Sequence, residues 1–246
     1  MNWRARAAIN TVKAVVPFQA PLRRLKRRFV PYTTNYQNDE GLLDDGIGQI
    51  EILRDLGVNL IGAHVVELGP GWCPMPAIVY RMAGAASVTM VDQERLMDSA
   101  TLRYAAQYVI DNFSARTAHL GVAKENFAPV PEALRAPTQI DRTLEAGGLV
   151  YLAPFKFGDL PDNSADRVVS RVVLEHVPEI LLREFALDSL RILRPGGLIC
   201  HTIDMSDHWS HHDKSISAVN FLRYEEKAWK WTGINKQDFQ NRLRRT

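Results

Sequence analysis

Apolar and polar positions alternate along the middle of the chain in a pattern that predicts short strands separated by helices. Residues 40–56 place Leu and Ile at helical spacing and are followed by Gly57, which predicts an amphipathic helix with a left-handed end. Five apolar runs predict strands: 64–68, 87–92, 149–155, 165–174 and 197–204. Further helices are predicted between them at 76–84, from Glu94 to about Asn112, and at 179–193. We therefore expect an α/β fold with a Rossmann-like, doubly wound and mostly parallel sheet.

The same pattern divides the chain into three parts. Residues 39–204 carry the alternating elements and are predicted to form one domain, with an insertion at 113–147 where no period is clear. Residues 1–38 predict a basic helical N-terminal extension. Residues 205–246 are charged and aromatic with helical spacing, and we expect them to form a C-terminal helical segment that faces the substrate.

Charge is distributed unevenly around a net value of +2, because residues 1–38 contain eight Lys or Arg and no acid. Leu22, Leu25 and Phe29 fall on one helical face among five of these basic residues. Such a helix either contacts an anionic membrane surface peripherally or packs its apolar stripe on the domain. A nucleic-acid partner is not expected, since the basic run lacks the interleaved aromatic residues of a stacking platform.

Cys73 and Cys200 match no metal-ligand or disulfide spacing, which fits a reducing compartment. The first residues do not resemble a signal peptide, and no apolar run approaches the length of a membrane span. We expect a cytoplasmic protein, with peripheral membrane contact through the basic segment as one option.

A glycine turn follows the first predicted strand, in "HVVELGPGWCPMP" from His64 to Pro76. It lacks the Lys-Ser/Thr pair of a phosphate-binding P-loop. A dinucleotide site expects a third glycine where Pro74 stands, although Asp92 falls at the spacing of a ribose-binding acid. Glu67, two residues before the first glycine, would repel a pyrophosphate and suits a cationic ligand that carries a ribose. A nicotinamide-dependent oxidoreductase is retained as the alternative.

Four segments resemble the motifs of class I S-adenosylmethionine (SAM)-dependent methyltransferases, in the order of that family: "VVELGPGW", "VTMVD", "LPDNSADRVVSRVVLEHV" and "ILRPGGLI". The wording "LEHV" followed by "LRPGG" is similar to the small-molecule and sugar-modifying, methyltransferase-11-like branch. The signature of amino-directed nucleic-acid methyltransferases does not follow the fourth strand. The resemblance implies SAM as cofactor and O- or N-methylation of a small-molecule, sugar or lipid-linked acceptor. A catalytically inactive SAM-fold binding protein remains an alternative.

The resemblance also assigns cofactor-binding residues by position. Glu67, Leu68, Gly69 and Gly71 would line the methionine part of SAM, and Asp92 would accept hydrogen bonds from its ribose. The other expected members of the cofactor site are Trp72, Gln93, Phe155, Ser170 and Arg171. Phe155 or Phe157 would stack on the adenine, with Asp159 the nearest acid, and Trp72 either covers the cofactor or packs in the turn.

The segment "HTIDMSDHWSHHDK" contains most of the chain's histidines and supplies the candidate general bases His208, His211 and Asp207. We predict no metal ion there, because adjacent His211 and His212 point in different directions on any regular element. Glu175 and His176 resemble family residues at the end of the fourth strand, and we expect them to cap the following helix and only to shape the site. The family normally completes its sheet with a sixth and a seventh strand, which residues 205–246 do not predict, so we expect a C-terminally truncated piece or a differently finished edge.

Overall fold

The structure is a computed structural model that describes residues 2–15, 22, 25–26, 29, 39–121, 134, 139–156, 158–230 and 239–243. It contains two compact units. The sheet unit comprises Val30–Arg171 and Phe185–Thr202, and the terminal unit comprises Met1–Phe29, Val172–Glu184 and Ile203–Thr246. The expected division at residues 38 and 204 stays a prediction.

The sheet unit contains five strands: β1 (His64–Leu68), β2 (Ser87–Val91), β3 (Leu149–Leu152), β4 (Ala165–Arg171) and β5 (Leu193–Thr202). All neighbouring strands are parallel, and their order is β3-β2-β1-β4-β5. Leu68 at the end of β1 pairs with Val91 of β2 and with Ser170 of β4. The strand order therefore reverses beside β1, which is where open α/β sheets bind ligands at their carboxyl edge. The predicted doubly wound parallel sheet is confirmed.

Helices cover both faces of this sheet. They are α2 (Asp39–Asp55), α3 (Met75–Met82), α4 (Ser99–Arg116), α5 (Ile140–Ala146) and α6 (Glu179–Ile192), within which the boundary between the units falls. One face packs Val65, Val88 and Val169 against residues such as Leu43 of α2. The other face packs Val66 and its neighbours against Ile192 and Phe185. Burial on both faces is most complete in the central strand β1, whose residues from Val65 to Leu68 are all buried, whereas no residue of the edge strand β5 is fully buried.

Several element boundaries differ from the sequence-based expectation. Helix α4 begins at Ser99 rather than near Glu94, because the Asp98 side chain accepts the Thr101 N–H at 2.7 Å and caps it there. The segment 113–147 was expected to be irregular, but α4 continues to Arg116 and α5 forms near its end. Strand β4 stops at Arg171, since Val172 adopts a left-handed φ of 53° that a strand does not tolerate.

The described residues of the terminal unit form α1 (Trp3–Val15), α7 (Trp209–His212), α8 (Glu226–Lys230) and short 3-10 turns at Leu174–His176 and Asn220–Arg223. Its small core is largely aromatic and consists of Trp3, Ala7, Trp209, Phe221 and Trp229. The Trp3 backbone N–H also donates to Asp213 Oδ2 at 2.8 Å, which fixes the start of α1. The predicted N-terminal helix is thus present, and within 205–230 the expected helical segment is short and interrupted.

The predicted basic stripe of residues 22–29 lies mostly outside the described residues. Leu22, Leu25 and Phe29 are described and are exposed. Across the described part of the chain, no helix combines the length and the apolar character needed to cross a membrane.

Candidate functional site

The turn after β1 requires glycine at two positions. Gly69 and Gly71 have φ values of 67° and 63°, in the left-handed region that other residues rarely adopt. The Gly69 N–H donates to the Val91 carbonyl at 2.8 Å, which ties the turn to the end of β2. A Cβ added to Gly71 would meet no described atom within 4 Å. The turn therefore leaves open space beside its backbone, as close approach of a ligand demands.

Asp92 lies directly after β2 and closes this turn from the side. Its Oδ2 accepts the Gly71 N–H at 3.0 Å, and its Oδ1 accepts the Gln93 N–H at 2.7 Å. Burial raises its pKa, and these hydrogen bonds act in the opposite direction. Because a carboxylate offers about four acceptor sites, Asp92 retains capacity for hydroxyl groups of a ligand.

Glu67 is a buried acid on β1, only 3% exposed, and points to the same sheet face as Val65. Burial raises its pKa from 4.5 to about 8, although the positive charge of Arg171 lowers it. Among the described residues, its Oε2 has no hydrogen-bond partner. A carboxyl group in this position favours a cationic ligand, because a nearby positive charge stabilises its ionised form.

The end of β4 is held by a polar network that the sequence analysis did not identify. Gln49 of α2 donates from Nε2 to the Ser170 carbonyl at 2.8 Å and to Thr202 Oγ1 at 3.0 Å. The Tyr80 hydroxyl of α3 donates to Gln49 Oε1 at 2.5 Å. The Ser170 hydroxyl lies 2.8 Å from Nδ1 of His201. A polar residue on the otherwise apolar face of α2 was the sequence signal for this network.

Arg171, the last residue of β4, forms an ion pair with Asp45 of α2. Its guanidinium is partly buried, with 24% of the side chain exposed. Since it also lowers the pKa of Glu67, Arg171 couples β4 electrostatically to the acid on β1. The predicted residues Glu67, Ser170 and Arg171 therefore lie on neighbouring strands of one sheet edge.

The remaining predicted cofactor residues differ in their surroundings. Leu68 is buried in the core of the second sheet face, whereas Trp72 is half-buried and Gln93 is exposed. Phe155 packs against the same core cluster as Leu68, and its N–H donates to the Asp92 carbonyl at 2.8 Å. Asp159 is exposed and accepts the Lys156 N–H at 2.8 Å. Phe157 lies outside the described residues.

Helix α3 is poorly suited to a phosphate group. Its N-cap is Pro74, which provides no side-chain hydrogen bond, and Pro76 lies in its first turn. Two of the amides that could bind an anion at a helix N-terminus are therefore missing. Together with Glu67, this start of the helix argues against the dinucleotide alternative.

The candidate bases belong to the terminal unit. Asp207 is completely buried, and its two oxygens accept the Trp209 N–H at 2.9 Å and the Asn220 side-chain amide at 3.0 Å. His208 and His211 each place Nε2 near Oδ2 of Asp204, at 3.2 Å and 3.4 Å. Both oxygens of Asp207 are thus engaged within the terminal unit, and the role of these three residues as general bases stays a prediction.

Glu175 and His176 do not cap α6 as expected. Glu175 Oε1 instead accepts the Asp204 N–H at 3.2 Å, and His176 Nδ1 lies 2.6 Å from the Phe239 carbonyl. One ligand atom from each of Glu175, His176 and His208 lies within 4.8 Å of the others. This set combines two imidazoles and a carboxylate, which are donor groups for transition-metal ions.

The central part of the chain is similar to a known protein family. Residues 150–201, which run from β3 to the end of β5, match the family model described as "Methyltransferase domain". The comparison with curated proteins finds no match.

The solved structures to which this chain is similar include an S-adenosylmethionine dependent methyltransferase from Mesorhizobium loti. It is 20% identical with a TM-score of 0.36, over 65% of this chain and 55% of that one. Phosphoethanolamine N-methyltransferase 1 of Haemonchus contortus is 16% identical with a TM-score of 0.39, over 75% of this chain and 32% of that one.

A putative methyltransferase from Listeria monocytogenes is 12% identical with a TM-score of 0.37, over 64% of this chain and 55% of that one. This chain thus spans about half the length of the Mesorhizobium and Listeria proteins and about a third of the Haemonchus protein. At these TM-scores the likenesses do not bear on the function of this chain.

The residues that match the family model lie in the same parallel sheet as the strands that carry the glycine turn. The matched residues supply the β3, β4 and β5 strands of the parallel sheet, and β1 and β2 carry the glycine turn and the two acids on which the sequence resemblance rests. Residues 150–201 are thus similar to a methyltransferase domain, and the resemblance of β1 and β2 to class I SAM-dependent methyltransferases rests on the sequence motifs.

Proposed function

We propose that this chain binds SAM at the carboxyl edge of its sheet and transfers the methyl group to a small-molecule, sugar or lipid-linked acceptor. The observation that carries the proposal is Glu67, a buried acid with an oxygen that has no partner among the described residues. An ammonium group placed there would favour the ionised carboxylate and offset its desolvation. A pyrophosphate would have the opposite effect, which disfavours the nicotinamide alternative.

The residues of the sheet unit fit this cofactor. Glu67 and the turn of Gly69 and Gly71 would hold the methionine part, where the absent side chains leave room for it. Asp92 would accept hydrogen bonds from the ribose hydroxyls with the acceptor sites that the turn leaves unused. Phe155, Trp72, Leu68, Gln93, Ser170 and Arg171 complete the proposed set.

The bound cofactor would supply an electrophilic methyl group on a sulfonium. The work of the protein is then to orient the acceptor in line with the methyl carbon, and positioning alone lowers barriers by up to about 7 to 11 kcal/mol in well-oriented reactions. A hydroxyl or ammonium acceptor must also lose a proton. We assign that role to His208 or His211, each of which places Nε2 near Oδ2 of Asp204.

Calorimetric titration with SAM, S-adenosylhomocysteine and NADH tests the cofactor assignment. We expect the two adenosyl ligands to bind and NADH not to bind. Asp92→Ala and Glu67→Gln should weaken SAM binding at least tenfold, whereas Glu145→Gln, an exposed acid on α5, should not change it. NADH binding, or no binding of either adenosyl ligand to the folded chain, would contradict the proposal. Binding without methyl transfer to any of a broad set of acceptors would favour the inactive SAM-fold alternative.

We further propose that the protein acts in the cytoplasm, with peripheral contact to an anionic membrane through the basic segment of residues 22–29. The exposure of Leu22, Leu25 and Phe29 supports this assignment, since they are available to enter a lipid interface. Each basic residue near anionic headgroups would add about 1 kcal/mol. Co-sedimentation with phosphatidylserine vesicles that is lost at high salt and absent with neutral vesicles is the expected result. Equal recovery with both vesicle types would refute it.

A further inference from the structure

We propose that Glu175, His176 and His208 of the terminal unit form a binding site for a divalent transition-metal ion. One ligand atom from each residue lies within 4.8 Å of the others. Donor atoms about 2.1 Å from a tetrahedral ion are about 3.4 Å apart, so the ligand atoms must approach one another by up to about 1.4 Å. Two imidazoles with one carboxylate are a ligand set of zinc and non-haem iron centres.

The burial of the Glu175 carboxylate supports the site. This side chain is 1% exposed, and its Oε1 accepts the Asp204 N–H at 3.2 Å. In the part of the chain that the structure describes, its Oε2 has no hydrogen-bond partner. An uncompensated buried carboxylate is unfavourable, because the interior does not replace the water it loses. A cation bound at Oε2 would remove that cost.

The hydrogen bond that orients the His176 ring also supports the site. Its Nδ1 lies 2.6 Å from the Phe239 carbonyl, which only accepts, so Nδ1 carries the hydrogen and donates it. The lone pair is then on Nε2. Metal-binding histidines are held in this way, with one ring nitrogen fixed by a carbonyl or carboxylate and the other directed at the ion.

His208 and Asp204 lie close to these two residues and also support the site. The His208 ring centroid is 4.9 Å from that of His176, with the planes tilted by 59°. Asp204 Oδ2 lies 3.2 Å from His208 Nε2 and also contacts His211. A second carboxylate therefore lies beside the three proposed ligands.

The site differs from the cluster considered from the sequence. The sequence places His208, His211 and His212 near aspartates of the same segment, whereas the structure brings His208 together with the distant Glu175 and His176. An ion would link the 3-10 turn Leu174–His176 to the loop that follows β5, within the terminal unit. It would also compete for the imidazole of His208, which leaves His211 as the candidate base. The inference does not depend on SAM binding.

Metal titration of the full chain after chelator treatment tests the site, with Zn²⁺ and Co²⁺ as probes. We expect one equivalent of Zn²⁺ to bind and Co²⁺ to give visible absorption of a protein-bound ion. His176→Gln and Glu175→Gln should each weaken Zn²⁺ binding by at least the 10- to 100-fold that changes in outer-shell partners cause. His119→Gln, an exposed histidine of the sheet unit, serves as the matched control and should not change it.

Glu175→Gln separates loss of a ligand from loss of the fold. The amide oxygen still accepts the Asp204 N–H while the buried charge is removed, so the metal-free variant should melt no lower than the wild type. Zn²⁺ should raise the melting temperature of the wild type but not of this variant. Failure of the wild type to bind either ion at millimolar concentration, or equal binding by wild type and Glu175→Gln, would overturn the proposal.

Discussion

Replacement of Glu67 by Gln should change how the stability of the ligand-free protein depends on pH. Burial raises the pKa of Glu67 from 4.5 to about 8. Below pH 4.5 the carboxyl is protonated in both the folded and the unfolded chain. Between pH 4.5 and about 8 the unfolded chain releases this proton while the folded chain retains it. The contribution of Glu67 is therefore full at low pH and is lost as the pH rises through 8.

The magnitude follows from the two pKa values. At about 1.36 kcal/mol per pH unit, the difference between 4.5 and about 8 corresponds to an upper limit of about 5 kcal/mol. The glutamine side chain of the variant would not titrate, but its amide would leave polar atoms unpaired at a cost of about 1 to 3 kcal/mol. That cost does not change with pH, so relative to the wild type the unfolding free energy of Glu67→Gln should rise by up to about 4 kcal/mol between pH 5 and pH 8.5.

Urea unfolding followed by circular dichroism at several pH values measures this gain. Taking the difference in unfolding free energy between wild type and variant cancels the titration of the other groups. Glu145→Gln provides the control, since its unfolding free energy should depend on pH in the same way as that of the wild type. The m-value should be the same in all three proteins. Parallel curves for wild type and Glu67→Gln from pH 5 to 8.5 would refute the assignment of a raised pKa to a buried, uncompensated Glu67.

Three further predictions concern the surroundings of the site. Gly71→Ala should cost about 1 to 2 kcal/mol of unfolding free energy because of its left-handed φ, and SAM affinity measured by calorimetry should fall; unchanged stability would contradict this. Tyr80→Phe should cost about 1 to 3 kcal/mol in urea unfolding, because Gln49 Oε1 loses the hydroxyl that donates to it. The double variant with Gln49→Leu should lose less than the sum of the single changes, and strict additivity would argue against the network. Burial raises the pKa of Cys73 to about 12, so it should react with a thiol reagent at pH 8 only in urea; fast labelling of the folded chain would show otherwise.

The sheet could be predicted from the sequence because its signals are local. Strands such as His64–Leu68 are short apolar runs, and the glycines after β1 mark backbone that only glycine adopts easily. The predicted start of α4 was wrong because the helical spacing continues on the N-terminal side of Asp98, the residue that caps the start of the helix. The Asp98 side chain caps the backbone at Thr101, and the period alone does not show which acid does so.

Contacts between distant segments could not be predicted in this way. Glu175 and His176 precede a helix, so local chemistry favoured a capping role, yet their partners are Asp204 and Phe239. Trp3 joins the aromatic core of the terminal unit through segments about 200 residues away along the chain. Such pairings depend on where the chain returns in space, which hydrophobic periodicity does not encode.

The central claim is that Glu67 compensates a positive charge on bound SAM, and proton release on binding tests it most directly. SAM should be titrated into the protein at pH 7 in buffers of different ionisation enthalpy. With a pKa of about 8, Glu67 is mostly protonated before binding and ionised beside the ammonium, so close to one proton should be released. Glu67→Gln should release at least half a proton fewer than the wild type. The same linkage limits this difference to about one proton. Equal proton release by wild type and Glu67→Gln would contradict the account.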